Sequence, residues 1–318
     1  MTSGPTDQQT DQYLKKHNFF GLQSENVVQF KQGLLPCFDF NGRIILERKN
    51  MVALAPDGNG GIYRALQRNA IINDMQRRGI KYIHAHSVDN ILIKVADPVF
   101  IGYCIKKRSD CGAKVVSKLY PNEPLGVVCK VNNRFRVVEY SEITSELANL
   151  RDDSGNLIYN AGNICNHFFT TDFLNKVIVD YEKDLKLHVA KKKIPFVGDD
   201  GRTIVPSSNN GIKIEKFIFD VFEFCDNFVT WQVSRFTDFS AMKNANCVGI
   251  DCPQTARNDL LKLHKHYIEN CGGIVKDIVE ISPYLSYSGE DLDDLVRDRV
   301  FEKCTVLWAP NERSTIIS

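Results

Sequence analysis

Three glycines in four residues, Gly58, Gly60 and Gly61, stand in the stretch Ala55-Pro56-Asp57-Gly58-Asn59-Gly60-Gly61-Ile62-Tyr63. An extended apolar segment precedes them, and a helical pattern runs on from Ile62 to Arg78. Glycine lets a backbone turn sharply and come close to a ligand. A helix opening there points unpaired N–H groups at whatever the loop holds. Strand, glycine loop and helix in that order can hold a nucleotide, although a tight connection without a ligand is the plain alternative for one such loop. Asp89 is the best metal-ligand candidate. A carboxylate at a strand end suits Mg²⁺, which takes oxygen ligands and shares them with substrate phosphates; a cap or turn residue is the alternative.

Other groups have chemistry to offer. Glu139-Tyr140-Ser141-Glu142 ends a strand, where a carboxylate and a phenol could hydrogen-bond sugar hydroxyls or merely finish the strand in polar residues. Asn160-Ala161-Gly162-Asn163 could present two amides to a sugar acetamido group, or form a turn. Lys213 and Lys216 flank Glu215, and Lys243 follows Phe239-Ser240-Ala241-Met242. Lysines beside a strand-end crevice neutralise phosphates, and singly each also reads as a surface lysine. His84, His86 and His167 lack ligand spacing and read as structural.

The elements that must position these groups follow from pattern. A helix is expected from about Asp7 to His17, capped by Thr6 or Asp7. Asn26 to Phe30 reads as a strand, and Phe38 to Ile45 as a hairpin around Asn41-Gly42. One helix follows the glycine loop and stops near Gly79. Tyr82 to Val88 is a buried strand ending at Asp89. Pro98 to Lys107 is a helix with Pro in its first turn, and Ala113 to Val116 a strand. Leu125 to Val131 and Phe135 to Tyr140 pair around Asn132-Asn133. Thr171 to Tyr181 is an amphipathic helix. Ile212 to Cys225, apolar nearly all round, reads as a buried helix. Phe228 to Val233 is a strand, and Pro253 to Asn270 a helix ended by Gly272-Gly273. Such alternation predicts a largely parallel sheet covered on both faces, with ligands outside the carboxyl ends of the strands.

Composition narrows the class. Lys plus Arg number 40 and Asp plus Glu 39, which argues against a nucleic-acid binder driven by bulk charge. Lys191-Lys192-Lys193 reads as a solvated face. The ten cysteines are scattered through apolar runs with no Cys-x-x-Cys pair, so they read as reduced thiols of a cytoplasmic protein. No run reaches the ~18 apolar residues of a membrane span, and the polar start is no secretory signal.

Taken together, these segments resemble the eukaryotic UDP-N-acetylhexosamine (UDP-N-acetylglucosamine) pyrophosphorylases. The resemblance rests on Gln32-Gly33-Leu34-Leu35-Pro36, the Ala55 to Tyr63 loop, Val88 to Pro98, and Cys111 to Val116. It continues through Gly126 to Cys129, Val138 to Ile143, Asn160 to Phe169, Asn210 to Phe217 and Thr255-Ala256-Arg257. It is collinear from Met1 to about Tyr287, and so many ordered matches are specific where one alone is weak. The resemblance implies transfer of uridylyl from UTP to N-acetylglucosamine 1-phosphate, with Mg²⁺, giving UDP-N-acetylglucosamine and pyrophosphate. Gln32 and Gly58 would read the uracil. Asn59 and Asp89 would lie at the ribose and phosphate side, with Asp89 on the metal. Gly126, Glu139 and Asn163 would hold the sugar, Asn163 through its N-acetyl group. Lys213 and Lys243 would face the phosphates as the catalytic cations.

The implied fold is α/β, a Rossmann-like nucleotide-diphospho-sugar transferase sheet, mixed but mostly parallel and N-terminally truncated. Residues 1–245 would form the catalytic domain and 246–318 a small C-terminal domain. The family's segment of the type Leu-x-Gly-Gly-x-Gly-Thr-Arg-Leu-Gly has no counterpart in residues 1–318, so the sequence is expected to begin mid-domain. A second expectation is therefore a non-catalytic product that binds UDP-sugar or pairs with a full-length subunit. An exposed sheet edge would favour association, and a homodimer is among the expected partners. A UDP-glucose-type enzyme is a third, less favoured because Asn160 to Asn163 fits an acetamido sugar better.

Overall fold

The computed structural model describes residues 1–310. Its centre is a six-stranded mixed sheet in the order Phe228–Gln232, Cys111–Ser117, Ala161–Thr170, Val127–Val131, Arg134–Val138, with Tyr82–His86 also paired to Ala161–Thr170. The ten-residue strand Ala161–Thr170 is the hub. It runs antiparallel to Tyr82–His86, Cys111–Ser117 and Val127–Val131. Phe228–Gln232 runs parallel to Cys111–Ser117.

The α/β class and mixed sheet are as expected; the parallel majority is not. The short connection at Asn132 (φ 50°) and Asn133 (φ 64°) turns the chain back on itself, as two asparagines in the left-handed region do. The hub strand, legible in the sequence only as an Asn/Gly turn, then inserts antiparallel between its neighbours.

Both sheet faces are covered. Cys111, Ala113 and Val115 join Tyr63, Leu66, Phe173, Phe219 and Phe222 in one core. Phe168 packs with Phe100 and Cys104, and Val116 with Leu125 and Ile164, in two further clusters. The C-terminal part has its own cluster of Ile268, Val275, Val279, Ile281, Leu292 and Val296. The last eight residues of the expected C-terminal domain lie outside the described residues.

Several elements differ from the pattern. Ile212–Cys225 is not one helix: Gly211–Glu215 is a strand between His188–Lys192 and Phe38–Asp39, followed by a 3₁₀ turn over Ile218–Phe224. A short apolar run cannot separate a buried strand from a buried helix. The helix after the glycine loop breaks at Ala70 (φ 54°) into Ile62–Arg68 and Ile71–Arg77. Asn26 to Phe30 forms no strand. The Gln29 amide and Phe30 carbonyl are engaged by Asp7 and Thr2 instead. The first helix starts earlier than expected, spanning Gly4–Lys16 with Ser3 at its N-cap. Pro98–Lys106 and Pro253–Asn270 form as read, the former capped by the Asp97 carboxylate.

Candidate active site

Antiparallel pairing of Leu34–Pro36 with Leu54–Pro56 brings Gln32-Gly33 against the glycine loop. The Asp57 N–H donates to the Gly33 carbonyl at 3.1 Å. Gly58 has φ +85°, and a Cβ there would lie 2.3 Å from the Lys216 carbonyl oxygen. The loop and Lys216 are laced together: Lys216 N–H to Asp57 O at 2.8 Å, Gly60 N–H to Lys216 O at 2.9 Å. The Asn59 side-chain oxygen accepts the Ile218 N–H at 2.9 Å, and the Tyr63 hydroxyl donates to the Ile218 carbonyl. The loop is thus shaped by close backbone approach, which only glycine permits at Gly58.

Lys216 is not a phosphate lysine. Its ammonium is buried and donates to Glu182 Oε1 at 2.8 Å and Glu182 O at 2.9 Å, while Arg64 grips both Glu182 oxygens at 2.9 and 3.0 Å. Burial opposes ionisation of Glu182, but hydrogen bonds from Arg64 and Lys216 outweigh it and hold the carboxyl below its usual range.

The strand Tyr82–His86 delivers Asp89 to the opposite wall. Here Asn90, buried, does the joining. Its Nδ2 donates to the Asp238 carbonyl at 2.8 Å, and its Oδ1 accepts the Ser240 N–H at 2.9 Å. The Met242 N–H donates to the Asp89 carbonyl at 2.7 Å. These bonds set Lys243 beside Asp89. Beneath them Lys114, 1% exposed, lies between Asp97 at 2.5 Å and Asp238 at 2.9 Å.

The third wall is the start of the hub strand. The Asn163 N–H donates to the Gly126 carbonyl at 2.8 Å. A Cβ on Gly126 would come within 2.8 Å of Glu139 Oε1, so the missing side chain is what lets Glu139 lie over this backbone. Burial, aided by the Glu142 charge, raises the Glu139 carboxyl above its ordinary value, and His188 and Lys243 partly offset it. Between Asn163 and His167 the register slips and Cys165 takes φ +50°, a β-bulge of the kind that re-aims side chains. Burial pushes the Cys165 thiol up to about 12; the charges of Glu139 and Asp89 add to the rise and Lys243 opposes it. The charges of Glu139, Asp89 and Lys243 are thus all felt at Cys165.

The structure gathers the residues singled out in the sequence into two groups. Gln32, Gly58 and Asn59 form one; Asp89, Gly126, Glu139, Asn163 and Lys243 form the other. A cavity of about 520 Å³ has Asn59 of the first group on its wall, with Val88, next to Asp89, and Cys165; none of Asp89, Gly126, Glu139, Asn163 or Lys243 lines it. Lys213 is on the glycine-loop side, in register with Ala190, and its charge is felt at Cys37. Among the described residues neither Lys213 nor Lys243 enters an ion pair. Asp89 is partly exposed and its carboxylate accepts no hydrogen bond among them. Those residues hold no group of three His, Cys, Asp or Glu able to ligate a metal. One free carboxylate still fits Mg²⁺, which keeps several waters and takes phosphate oxygens.

Sequence reasoning missed Asn90, Lys114, Glu182 and His188. His188 Nε2 lies 3.0 Å from an Asp220 oxygen and Nδ1 3.4 Å from Glu142. Burial would lower its pKa, but the Asp220 carboxylate outweighs burial and the net shift is upward. Only the adjacency of Asn90 to Asp89 could have drawn attention; the other three gain meaning from partners distant in sequence.

Comparison with known proteins adds four findings. The family described as UTP–glucose-1-phosphate uridylyltransferase matches residues 1–275. The human UDP-N-acetylhexosamine pyrophosphorylase-like protein 1 is 49% identical over 327 residues, covering 96% of this chain and 64% of that protein. The UDP-N-acetylglucosamine pyrophosphorylase of Saccharomyces cerevisiae is 42% identical, covering 96% and 65%. The crystal structure of the Trypanosoma brucei UDP-N-acetylglucosamine pyrophosphorylase with an inhibitor superposes with TM-score 0.84 at 30% identity, covering 98% of this chain and 67% of that one. The chain spans under two thirds of the length of the curated relatives it matches.

Proposed function

This chain belongs to the UTP–glucose-1-phosphate uridylyltransferase family, and from that premise we propose that its crevice binds a uridine diphosphate joined to an N-acetylhexosamine. The reaction proposed is uridylyl transfer from UTP to N-acetylglucosamine 1-phosphate, as the names of its relatives indicate for them. The observation that carries the sugar assignment is the packing of Glu139 over the Gly126 backbone, whose carbonyl accepts the Asn163 N–H, with the Lys243 charge felt at Glu139 from the facing wall.

In this reading the uracil lies against Gln32 and Gly58, Asn59 is at the ribose side, and Glu139 takes sugar hydroxyls. A sugar-phosphate oxygen attacks the α-phosphorus of UTP; a new P–O bond forms as the bond to pyrophosphate breaks, and pyrophosphate leaves with the electron pair. No covalent intermediate on the protein is needed, so the chain's share is positioning and charge neutralisation. Lys243 and Lys213 carry cations that no carboxylate engages among the described residues, which suits them to phosphate oxygens. Mg²⁺, held by Asp89, would supply further neutralisation of phosphate charge. Ten free thiols support a reducing, cytoplasmic setting.

The test is thermal unfolding with UDP-N-acetylglucosamine, together with pyrophosphate release from UTP, N-acetylglucosamine 1-phosphate and Mg²⁺. A ligand at about 100 times its Kd stabilises the fold by roughly 2.7 kcal/mol. A rise in Tm that Glu139→Ala abolishes supports the site. Pyrophosphate release assigns the full transfer to residues 1–318, and a Tm rise without it assigns them UDP-sugar binding alone. No rise at any concentration contradicts the proposal.

A further inference from the structure

We propose that His167 is a positioning residue: it fixes the amide of Asn163 so that the crevice offers N–H donors rather than an oxygen to the bound sugar. The inference rests on the assignment of Asn163 to the N-acetyl group and extends it to how that group is chosen.

The bulge orients the Asn163 amide. Asn163 Oδ1 receives the Cys165 backbone N–H at 3.2 Å and lies 3.0 Å from His167 Nε2. A backbone N–H can only donate, so the amide atom facing it must be the oxygen. An oxygen facing Nε2 requires that Nε2 carry the proton. The other ring nitrogen, Nδ1, is buried and has no hydrogen-bond partner among the described residues. A bare nitrogen tolerates that position better than a second, charged N–H would. Burial pushes the imidazole down to about 3, so the ring is neutral. His167 is 0% exposed, and Phe169 and Phe222 hold it edge-on at 6.0 and 5.1 Å.

With Oδ1 saturated from two sides, Nδ2 faces the Cys165 thiol at 3.7 Å. The charges of Glu139, Asp89 and Lys243 are felt at that thiol. An acetamido carbonyl can only accept a hydrogen bond, so it needs this orientation. A hydroxyl can donate or accept and is indifferent to an amide flip. Without His167 only the longer Cys165 N–H bond, 3.2 Å, holds Oδ1 in place, and an amide that turns away loses the acetamido carbonyl while a hydroxyl keeps a partner, a selectivity that a merely structural histidine would not confer.

The experiment measures dissociation constants of UDP-N-acetylglucosamine and UDP-glucose by calorimetry on the full chain, its His167→Phe variant and its His167→Gln variant. Phe should weaken UDP-N-acetylglucosamine by about five- to ten-fold and UDP-glucose by less than about two-fold, the scale of one net hydrogen bond. Gln, which restores an N–H donor, should recover most of the difference. Equal losses for both ligands would overturn the role of His167 while leaving Asn163 assigned. Equal affinities, or no binding of either ligand, in the parent chain would remove the Asn163 assignment and this inference with it. Should the Phe variant not fold, ¹⁵N NMR of the parent decides: the Nε2–H tautomer is expected, and an Nδ1–H ring or imidazolium at neutral pH would overturn the inference.

Discussion

Behind the crevice, Lys114 is buried between two carboxylates and Lys216 is buried against one; at its mouth, Lys243 is exposed and Lys213 partly so, and neither is ion-paired among the described residues. The same side chain does two jobs. Lys114 ties Asp97, the cap of one helix, to Asp238, whose carbonyl Asn90 holds. Lys216 with Arg64 and Glu182 stiffens the glycine loop from behind. Charges spent this way cannot meet a phosphate, but they determine where the free ones stand. The comparison teaches that burial and partner, rather than residue type or spacing, separate a bracing lysine from a binding one.

The comparison breaks first at Lys114. Lys114→Ala leaves Asp97 buried without its cation and Asp238 with only Lys94 at 3.4 Å, and urea unfolding should show a loss of about 3–5 kcal/mol; a loss below about 1 kcal/mol would contradict a bracing role. Next comes the glycine loop. In Gly60→Ala the new Cβ would meet the Lys216 and Phe217 backbone at 2.7 Å. Overpacking of that kind should destabilise by about 1–3 kcal/mol and weaken UDP-sugar binding.

A smaller effect concerns pH. The His188 pKa is raised above 6.5: burial opposes the charged form, and the Asp220 carboxylate more than compensates. A raised histidine stabilises the fold fully below its unfolded pKa, and that contribution is lost as pH rises through the folded value. Denaturant midpoints should therefore fall between about pH 6 and about pH 8, and His188→Gln should flatten that portion of the profile. The smallest stability change is expected at the mouth: Lys243→Ala should stay within about 0.5 kcal/mol of the parent while ligand affinity drops.

Much of the site was legible because its signals are local. The glycine loop, the Asn132-Asn133 turn and the Pro98 and Pro253 helices carry their own turn and cap chemistry. Glu139, Gly126 and Asn163 were found through ordered segments of a resemblance rather than through spacing. What stayed hidden is non-local. Nothing near Asn163 announces a bulge, since the turn-like Asn-Ala-Gly-Asn becomes a central strand only once Cys111–Ser117 and Tyr82–His86 flank it. Lys216 looked like Lys213 until Glu182, 34 residues away, arrived beside it. Ile212 to Cys225 was misread because burial on all sides erases the periodicity that distinguishes helix from strand.

The central claim is that an acetylated amino-sugar sits between Gly126–Glu139 and Asn163 while its uridine lies against Gln32 and Gly58. A crystal structure of this chain with UDP-N-acetylglucosamine tests it most directly. The account predicts the acetamido oxygen within hydrogen-bond distance of Asn163 Nδ2 and a sugar hydroxyl on Glu139. Ordered ligand in the apolar cavity lined by Leu66, Met75 and Ile83, with Glu139 and Asn163 untouched, would contradict it.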